Sequence, residues 1–535
     1  MTVHHHGNHS VSADDGQATG AAYLFGPGTS RLYTYGAVEN GENERGTMQF
    51  YHDHRMGETG MNVWQGLTGL YILDDSNDPA TLPSGGYDVP LVIADRQFDQ
   101  DNQLQYFYDP AGVVGNTVLV NGVYQPYFDV ADRKYRFRIL NGANARIYIL
   151  SLSTGDAFNQ IGTESGLLPA PVSQTAMQMG PAERRDVIID FAGKLGQEFY
   201  LMDAYKVTPL LKFRVNQHVT DNSSVPSTLR SLPDIGTPAV TRNWSFDQTA
   251  GHWTINGQQF DPDRVDARPV LGTTEKWVFT NPTEITHMVH IHDVDQQCIS
   301  RDGGPCYSYE PMKETWALGP GETLEVKLKF TDHTGIYMFH CHILEHEDDG
   351  MMTLFEVVTP VTTTRVVSRK THAAAGTYDI DLPVTGNPGI ECRSGGANGN
   401  YTLVFTFAEA LTSVDGASVT TGAGSVVSSQ IDSSDAHNYI VNLTGVSNVQ
   451  RITVSLTNVH GPAGSFSSVV SAPMQVLIGD TTYNGVVNSS DVVQAKSRVG
   501  QSLNATNFRS DVNASGTVTS SDVALVKGQV GTELP

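Results

Sequence analysis

The segment "FHCHILEHEDDGMM" at residues 339–352 places a cysteine between two histidines and follows them with a third histidine and two methionines. On an extended strand residues i and i+2 share a face, so His340 and His342 face one side and Cys341 faces the other. His346 and Met351 follow closely enough to return beside the Cys341 thiolate. This segment therefore predicts two metal centres, one on each face of a single strand.

Histidine pairs of this spacing recur along the chain. Random placement of 18 histidines among 535 residues would give fewer than one His-x-His pair, yet the chain has four. The pairs are His4/His6, His52/His54, His290/His292 and His340/His342. Together they offer eight imidazoles, which exceeds the needs of one ion and predicts a cluster of two or three ions. The opening "MTVHHHGNHS" is therefore interpreted as part of a metal site, with His5 facing away from His4 and His6.

The cysteine side of the segment has a different ligand chemistry. One thiolate, two imidazoles and a weak thioether are the ligand set of blue-copper electron-transfer sites. Cys341, His346 and Met351 supply three of the four, and His287 in "THMVHIH" (286–292) is the natural second histidine. Since Cys341 is bonded through the backbone to His340 and His342, the two centres together have the plan of an electron relay.

The four segments "HHHG" (4–7), "YHDH" (51–54), "HMVHIH" (287–292) and "HCHILEHEDDGM" (340–351) resemble the four copper motifs of the multicopper oxidases. Their surroundings are similar to the bacterial laccase group that includes spore-coat laccase, bilirubin oxidase and phenoxazinone synthase. The similar stretches are "YHDHRMGETGMNVWQGLTGLYILDD", "VPLVIADRQFD" and "GPAERRDVIIDF". The resemblance covers about residues 1–360.

This resemblance implies four copper ions and a set of ligands for each copper site. The type 1 copper would take His287, Cys341 and His346, with Met351 axial. The type 2 copper would take His4 and His290. The type 3 pair would take His6, His52, His54, His292, His340 and His342. Family members remove single electrons from a donor at type 1 and reduce O2 to water at the other three ions, so we expect the donor to approach the imidazole edge of His287 or His346.

Proton delivery to such a cluster requires acids. By the same resemblance Glu347 matches an acid near the cluster, and Asp14 or Asp15 matches a second acid on the solvent channel. Carboxylates suit this task because burial and nearby charge tune their pKa. The alternative for each is an ordinary solvated loop acid.

The fold class predicted is mainly β. Three cupredoxin-like β-sandwich domains are expected at 1–80, 81–240 and 241–362, followed by an accessory β-sandwich at 363–475 and a small helical module at 476–535. Two departures from the family stand out. Met288 replaces the usual proline of the third motif, and the first motif begins at residue 4, which predicts an incomplete first domain and an export signal lost with its start.

The C-terminal third carries no catalytic signature. Residues 363–475 alternate as in "YTLVFTF" and "RITVSLTNV", which is typical of strands, and Cys392 is expected to be a buried apolar residue. Two 12-residue loops then repeat at a spacing of 31 residues, "DTTYNGVVNSSD" (480–491) and "DVNASGTVTSSD" (511–522). Oxygen side chains at loop positions 1, 3, 5, 9 and 12 indicate EF-hand-type calcium chemistry. The candidate ligands are Asp480, Thr482, Asn484, Asn488 and Asp491, then Asp511, Asn513, Ser515, Thr519 and Asp522.

This repeat resembles the dockerin module of extracellular assemblies. The resemblance implies a cohesin-like protein partner, with a stalk that has no partner as the alternative. It also implies export, so an extracellular or periplasmic location is expected, and Cys298 and Cys306 could then close a small disulfide loop. A net charge of −24 argues against nucleic acid, and the chain has no apolar run long enough to span a membrane.

Three functions stay open at this stage. The first is a laccase-like oxidase of phenols or aromatic amines that uses O2. The second is a metallo-oxidase acting on Cu(I), Fe(II) or Mn(II), against which the scattered methionines count weakly. The third is a non-catalytic extracellular binding or scaffold protein, against which the retention of twelve expected copper ligands counts strongly.

Overall fold

The computed structural model describes residues 1–39 and 41–535. Strands dominate throughout, as the composition predicts. By its internal contacts the chain divides into two units, Met1–Val357 and Val358–Pro535. The five-domain division stays a prediction. Among the described residues no helix is both long and apolar enough to cross a membrane.

The first unit begins with two small sheets and continues with two β-sandwiches. The small sheets contain Val3–His6, Thr47–Asp53 and Thr68–Leu73, and Val38–Glu39 with Glu42–Asn43. One layer of the first sandwich contains, in spatial order, Tyr127–Ala131, Thr208–Gln217, Glu198–Asp203, Tyr148–Leu152 and Met177–Met179. Its other layer contains Gly166–Gln174, Phe158–Thr163, Arg184–Asp190, Lys134–Asn141, Asp88–Phe98, Thr117–Val120 and Val123–Tyr124, with Leu104–Gln105 paired to Asp88–Phe98. Phe137 and Phe213, one from each layer, lie in the shared core.

The second sandwich of this unit carries the segment 339–352 with Cys341 and its neighbouring histidines. One layer contains His252–Ile255, Val240–Thr249, Thr274–Thr280, Thr323–Lys329, Gln296–Arg301 and Met312–Lys313. The other contains Val265–Ala267, Met352–Val357, Gly335–Cys341, His287–Ile291 and Thr315–Leu318. Trp277 and Phe339 join the two layers in one core. Helix α1 is Thr59–Trp64 and helix α2 is Leu344–Asp348.

The second unit is a sandwich followed by two helices. Its layers contain Thr377–Asp381, Thr363–Thr371, Tyr401–Phe407, Asn438–Thr444 and Ser425–Ile431, and Gly389–Glu391, Phe466–Val476, Gln450–His460 and Ser413–Thr421. Cys392 is a buried free thiol, as expected. Helices α3 (Ser489–Arg498) and α4 (Ser520–Gly528) each follow one of the repeated loops. Both helices begin with a capping box, in which Asn488 and Thr519 are the N-cap residues.

Candidate metal centres

The thiolate side of the strand Gly335–Cys341 forms a buried three-residue group. Cys341 Sγ lies 3.6 Å from His287 Nδ1 and 3.5 Å from His346 Nδ1, and the two Nδ1 atoms are 3.2 Å apart. Antiparallel pairing of His287–Ile291 with Gly335–Cys341 brings His287 to this position, and α2 returns His346. Met351 is fully buried in the same core, and its carbonyl accepts a hydrogen bond from Cys341 N.

The other face of the strand belongs to a cluster of eight buried histidines. Imidazole nitrogens converge in three groups, namely His4/His6/His290, His6/His52/His342 and His54/His292/His340. Within them Nε2 atoms face one another closely. His6 and His52 are 2.9 Å apart, His54 and His340 are 3.1 Å apart, and His4 and His290 are 3.1 Å apart. The six histidines predicted as one type 3 set thus divide into two triads.

The hydrogen bonds of these rings indicate which ring nitrogen carries the proton and therefore whether the cluster can bind metal. Nδ1 faces an oxygen acceptor in six of the eight rings: His4 and Asp15 O, His6 and Glu314 Oε1, His52 and Asp53 O, His290 and Glu314 O, His292 and Asp15 Oδ2, and His340 and Cys341 O. Since a carbonyl or carboxylate only accepts, Nδ1 carries the proton and Nε2 presents a lone pair. Lone pairs facing one another across about 3 Å repel unless a cation lies between them. The residues therefore fit bound metal, with the outer partners that metal-ligating histidines usually have.

Burial keeps these groups in the state that metal binding requires. It lowers the pKa of His52 and of His340 to about 3 and that of His287 to about 4, so the imidazoles are neutral near pH 7. Burial also raises the pKa of the Cys341 thiol to about 12. A metal ion at Cys341 must therefore displace a proton.

The predicted acids occupy different positions. Asp15 is buried, and its Oδ2 lies 2.7 Å from His292 Nδ1. The ligand atoms of His4, Asp15 and His292 lie close enough together to form a further group that could hold a metal ion. Asp14, its neighbour, instead accepts a hydrogen bond from Thr34 N at 3.3 Å near the surface. Glu347 is fully buried, with Oε1 3.7 Å from His54 Nδ1 and 3.3 Å from the Thr59 hydroxyl that donates to it. Burial raises its pKa well above the usual value.

Sequence reasoning missed several contributors. Glu314 contacts two ligand histidines and pairs with Arg184 from the first sandwich. Trp253 stacks on His346 with ring centroids 4.3 Å apart. Neither residue carries a local spacing signal, because its contacts are set by strands far apart in the chain. His5 has the predicted orientation and packs against Tyr35 and Tyr71.

The repeated loops in the second unit are closed by their own carboxylates. Asp480 accepts from Asn484 N and Gly485 N, and Asp511 accepts from Ser515 N and Gly516 N at matching positions. Asp491 and Asp522 accept from Thr482 N and Asn513 N respectively, and each also closes the cap of its helix. The other residues predicted as calcium ligands lie in the same loops, namely Thr482, Asn484, Asn488, Asn513, Ser515 and Thr519, and their role in binding calcium stays a prediction.

Comparison with known proteins identifies both parts of the chain. A family model described as multicopper oxidase matches residues 233–361, and one described as dockerin type I domain matches residues 478–531. A laccase of Bacillus subtilis is 34% identical over 368 residues, which cover 59% of this chain and 72% of that protein. The chain belongs to the multicopper oxidase family. Two of the four segments that predicted this family, 287–292 and 340–351, lie within the matched residues 233–361. Copper is the metal expected of a multicopper oxidase.

Solved multicopper oxidase structures share the fold. A laccase from Pediococcus acidilactici Pa5930 has a TM-score of 0.62 at 32% identity, covering 66% of this chain and 78% of that one. A multicopper oxidase from Campylobacter jejuni, described as a metallo-oxidase, has a TM-score of 0.57 at 26% identity, covering 66% and 80%. The predicted fold class, mainly β with cupredoxin-like domains and a small helical dockerin module at the C-terminus, is confirmed.

Proposed function

We propose that this protein is a laccase-like oxidase that removes single electrons from phenols or aromatic amines and reduces O2 to water. The observation that carries the proposal is the convergence of eight buried imidazoles on one face of the strand Gly335–Cys341 and of His287 and His346 beside Cys341 on the other. Cys341 belongs to the second site and is bonded to His340 and His342 of the first.

The groups that the fold brings together support the ligand assignment that the family resemblance implies. His287, Cys341 and His346, with Met351, would hold the type 1 copper, and His4 and His290 the type 2 copper. The type 3 pair would be held by His6, His52 and His342 on one side and by His54, His292 and His340 on the other. Copper bound there would supply one-electron oxidation at the Cys341 site and four-electron reduction of O2 at the histidine cluster.

The protein's own residues would orient these ligands and move protons. Asp15 holds His292 through Nδ1 and fixes the ring with Nε2 directed inward. Glu347, buried and held by Thr59, is placed to pass protons toward His54. Water formation consumes four protons for each O2, so both acids would serve the same reaction.

Copper content, the visible spectrum and O2 uptake test the proposal together. The protein is loaded anaerobically, and we expect about four coppers per chain, a strong blue thiolate band and O2 uptake with a dimethoxyphenol. A fully loaded protein that consumes no O2 with any phenol or aromatic amine would overturn the proposal. A protein that also consumes none with metal ions would favour a non-catalytic binding role.

A metallo-oxidase is the second candidate, because one solved neighbour carries that description. Oxygen uptake with Cu(I), Fe(II) or Mn(II), compared with uptake from a phenol of similar potential, separates the two. Faster turnover of the metal ion by the loaded protein would establish the second candidate.

The dockerin module leads to a proposal about location. We infer calcium in its two loops, a cohesin-like partner and a place outside the cytoplasm. A disulfide between Cys298 and Cys306 supports the location, because disulfides persist in oxidising compartments. Calorimetric titration of the whole chain with calcium, followed by a cohesin-like protein with and without chelator, tests all but the location.

A further inference from the structure

The imidazoles of the thiolate site are closed to solvent. His287 and His346 both have 0% exposure, whereas the sequence led us to expect a donor at one of their edges. The Nε2 of His287, the nitrogen remote from Cys341, lies 3.0 Å from the Thr283 hydroxyl. A donor molecule therefore cannot touch either ring without displacing protein atoms.

Trp253 covers these two rings. Its indole stacks on His346 at 4.3 Å between centroids with an interplanar angle of 26°, and meets His287 edge-on at 5.3 Å. Trp253 lies on the edge strand His252–Ile255, and the residue as a whole keeps 8% exposure. It is therefore the one ring in contact with both histidines that also reaches the surface, among the ring contacts of the described residues.

Two hydrogen bonds, one from the indole and one from the backbone, fix the position of Trp253. Trp253 Nε1 donates to the Pro110 carbonyl at 2.6 Å, and Trp253 N donates to Asp349 Oδ2 at 2.8 Å. Asp349 lies between His346 and Met351 and also contacts His252 Nδ1 at 3.0 Å. Helix α2 carries His346, and Asp349 directly after this helix holds the residue whose ring covers His346. This coupling restricts the indole to the stacked position.

We propose that Trp253 is a specificity-determining residue that keeps donors off the two imidazoles and presents its indole edge as the surface at which an aromatic donor loses its electron. The inference rests on the proposed oxidase function and names the part of that site which selects the donor. Each phenol would lose one electron and one proton there, so four phenols supply the four electrons and four protons that convert one O2 into two water molecules.

We expect the Trp253 indole to discriminate between donors by their size. A small planar donor can reach the indole edge, whereas a bulky donor with twisted rings is held away from it. Removing the indole in Trp253→Ala would open a direct approach to His346, and Trp253→Phe would keep a stacked ring of smaller area. Differences in fit of this size change kcat/KM by roughly tenfold or more.

The first experiment measures access in the metal-free protein, where activity plays no part. Neutral imidazoles react with diethyl pyrocarbonate, and peptide mass spectrometry locates the product. We expect His346 to be protected in the wild type and modified in Trp253→Ala. Exposed His218 and His437, with 75% and 47% of their side chains exposed, are internal standards. Wild-type modification of His346 at the rate of His218 would overturn the proposal.

The second experiment compares kcat/KM for a bulky and a small phenol of similar potential in copper-loaded protein. We expect the bulky-to-small ratio to rise in Trp253→Ala, to rise less in Trp253→Phe, and to stay constant in Tyr124→Ala, which removes a ring of 60% exposure from the first sandwich. An unchanged ratio in Trp253→Ala with normal copper content would overturn the proposal.

Two other results, loss of copper binding in Trp253→Ala and lack of oxidase activity in the wild type, can be told apart from failure of the Trp253 proposal. If Trp253→Ala does not hold copper, the ratio in Trp253→Phe and the wild-type modification pattern decide. If the loaded wild type oxidises no aromatic donor, the proposed function fails, while the protection of His346 still reports whether the indole covers the ring.

Discussion

Glu314 Oε1 lies 3.1 Å from Nδ1 of His6, a residue 308 positions away in the chain. The same carboxylate pairs with Arg184, and its backbone carbonyl faces His290 Nδ1 at 3.2 Å. Glu314 thus connects two predicted cluster ligands to the first sandwich. Because a carboxylate accepts and does not donate, it fixes the His6 tautomer that leaves Nε2 free for metal.

We expect Glu314→Gln to weaken copper binding at the histidine cluster by about 10- to 100-fold, the usual cost of losing an outer partner of a metal ligand. The blue band should persist, because Glu314 does not contact Cys341. Copper per chain and the visible spectrum measure both. Glu322→Gln is the matched control, since Glu322 pairs with Arg301 instead of a histidine. Equal copper loss in both variants would contradict the assignment.

Cys341 and Cys392 are both buried free thiols, but only Cys341 has imidazole nitrogens within 3.6 Å. Cys341→Ser should abolish the blue band and remove about one copper per chain, because a serine hydroxyl does not replace a thiolate. Cys392→Ser should keep both. Spectra and copper analysis of the two variants check this, and a blue Cys341→Ser protein would refute the site.

Asp14 and Asp15 are sequence neighbours with different surroundings. Asp15→Asn should lower kcat by roughly a hundredfold or more, since proton transfer by a positioned acid contributes about 10²- to 10⁴-fold. Asp14→Asn should leave kcat near wild type, because Asp14 lies near the surface and hydrogen-bonds to Thr34 N. Steady-state O2 uptake at equal copper content tests the pair, and equal losses would place both acids on the same proton path.

Asp511 and Asp480 occupy the same position of the two loops, but among the described residues only the Asp511 carboxylate has a side-chain hydrogen-bond partner outside its own loop. His372 Nδ1 lies 2.8 Å from Asp511 Oδ2, and both side chains are fully buried. Asp511→Ala should therefore lower the free energy of unfolding by about 3–5 kcal/mol even without calcium. Asp480→Ala should matter mainly when calcium is present. Chemical unfolding of both variants with chelator measures the difference, and equal losses would contradict it.

His9 introduces a pH dependence. Burial alone would lower its pKa, but the carboxylates of Glu39, Asp293, Glu44 and Asp295 outweigh burial and raise the pKa to about 9. A folded pKa above the unfolded value of about 6.5 stabilises the fold fully below pH 6.5, and the benefit disappears as pH rises through 9. We expect a loss of at most about 3 kcal/mol over that interval. Unfolding of metal-free protein at pH 6 and pH 9.5 measures it, and His9→Gln should lose most of the dependence.

Local sequence was sufficient for those features that depend on the geometry of one strand or one loop. A period of two residues places His340 and His342 on one face and Cys341 on the other without reference to the rest of the chain. The repeated loops could also be predicted from sequence, because all of their oxygen-bearing side chains lie within twelve consecutive residues. The roles of these residues in binding metal stay predictions.

Sequence alone determined the family and the C-terminal repeat and predicted two kinds of metal centre, since all three are encoded in short segments. Only the tertiary structure decided which imidazoles meet, that Asp15 and not Asp14 reaches them, and that Trp253 covers His346. These relations join residues up to hundreds of positions apart, whose separation depends on how strands pair and sheets pack. The physical reason is that side-chain direction follows from local backbone geometry, whereas proximity between segments follows from burial of a shared core.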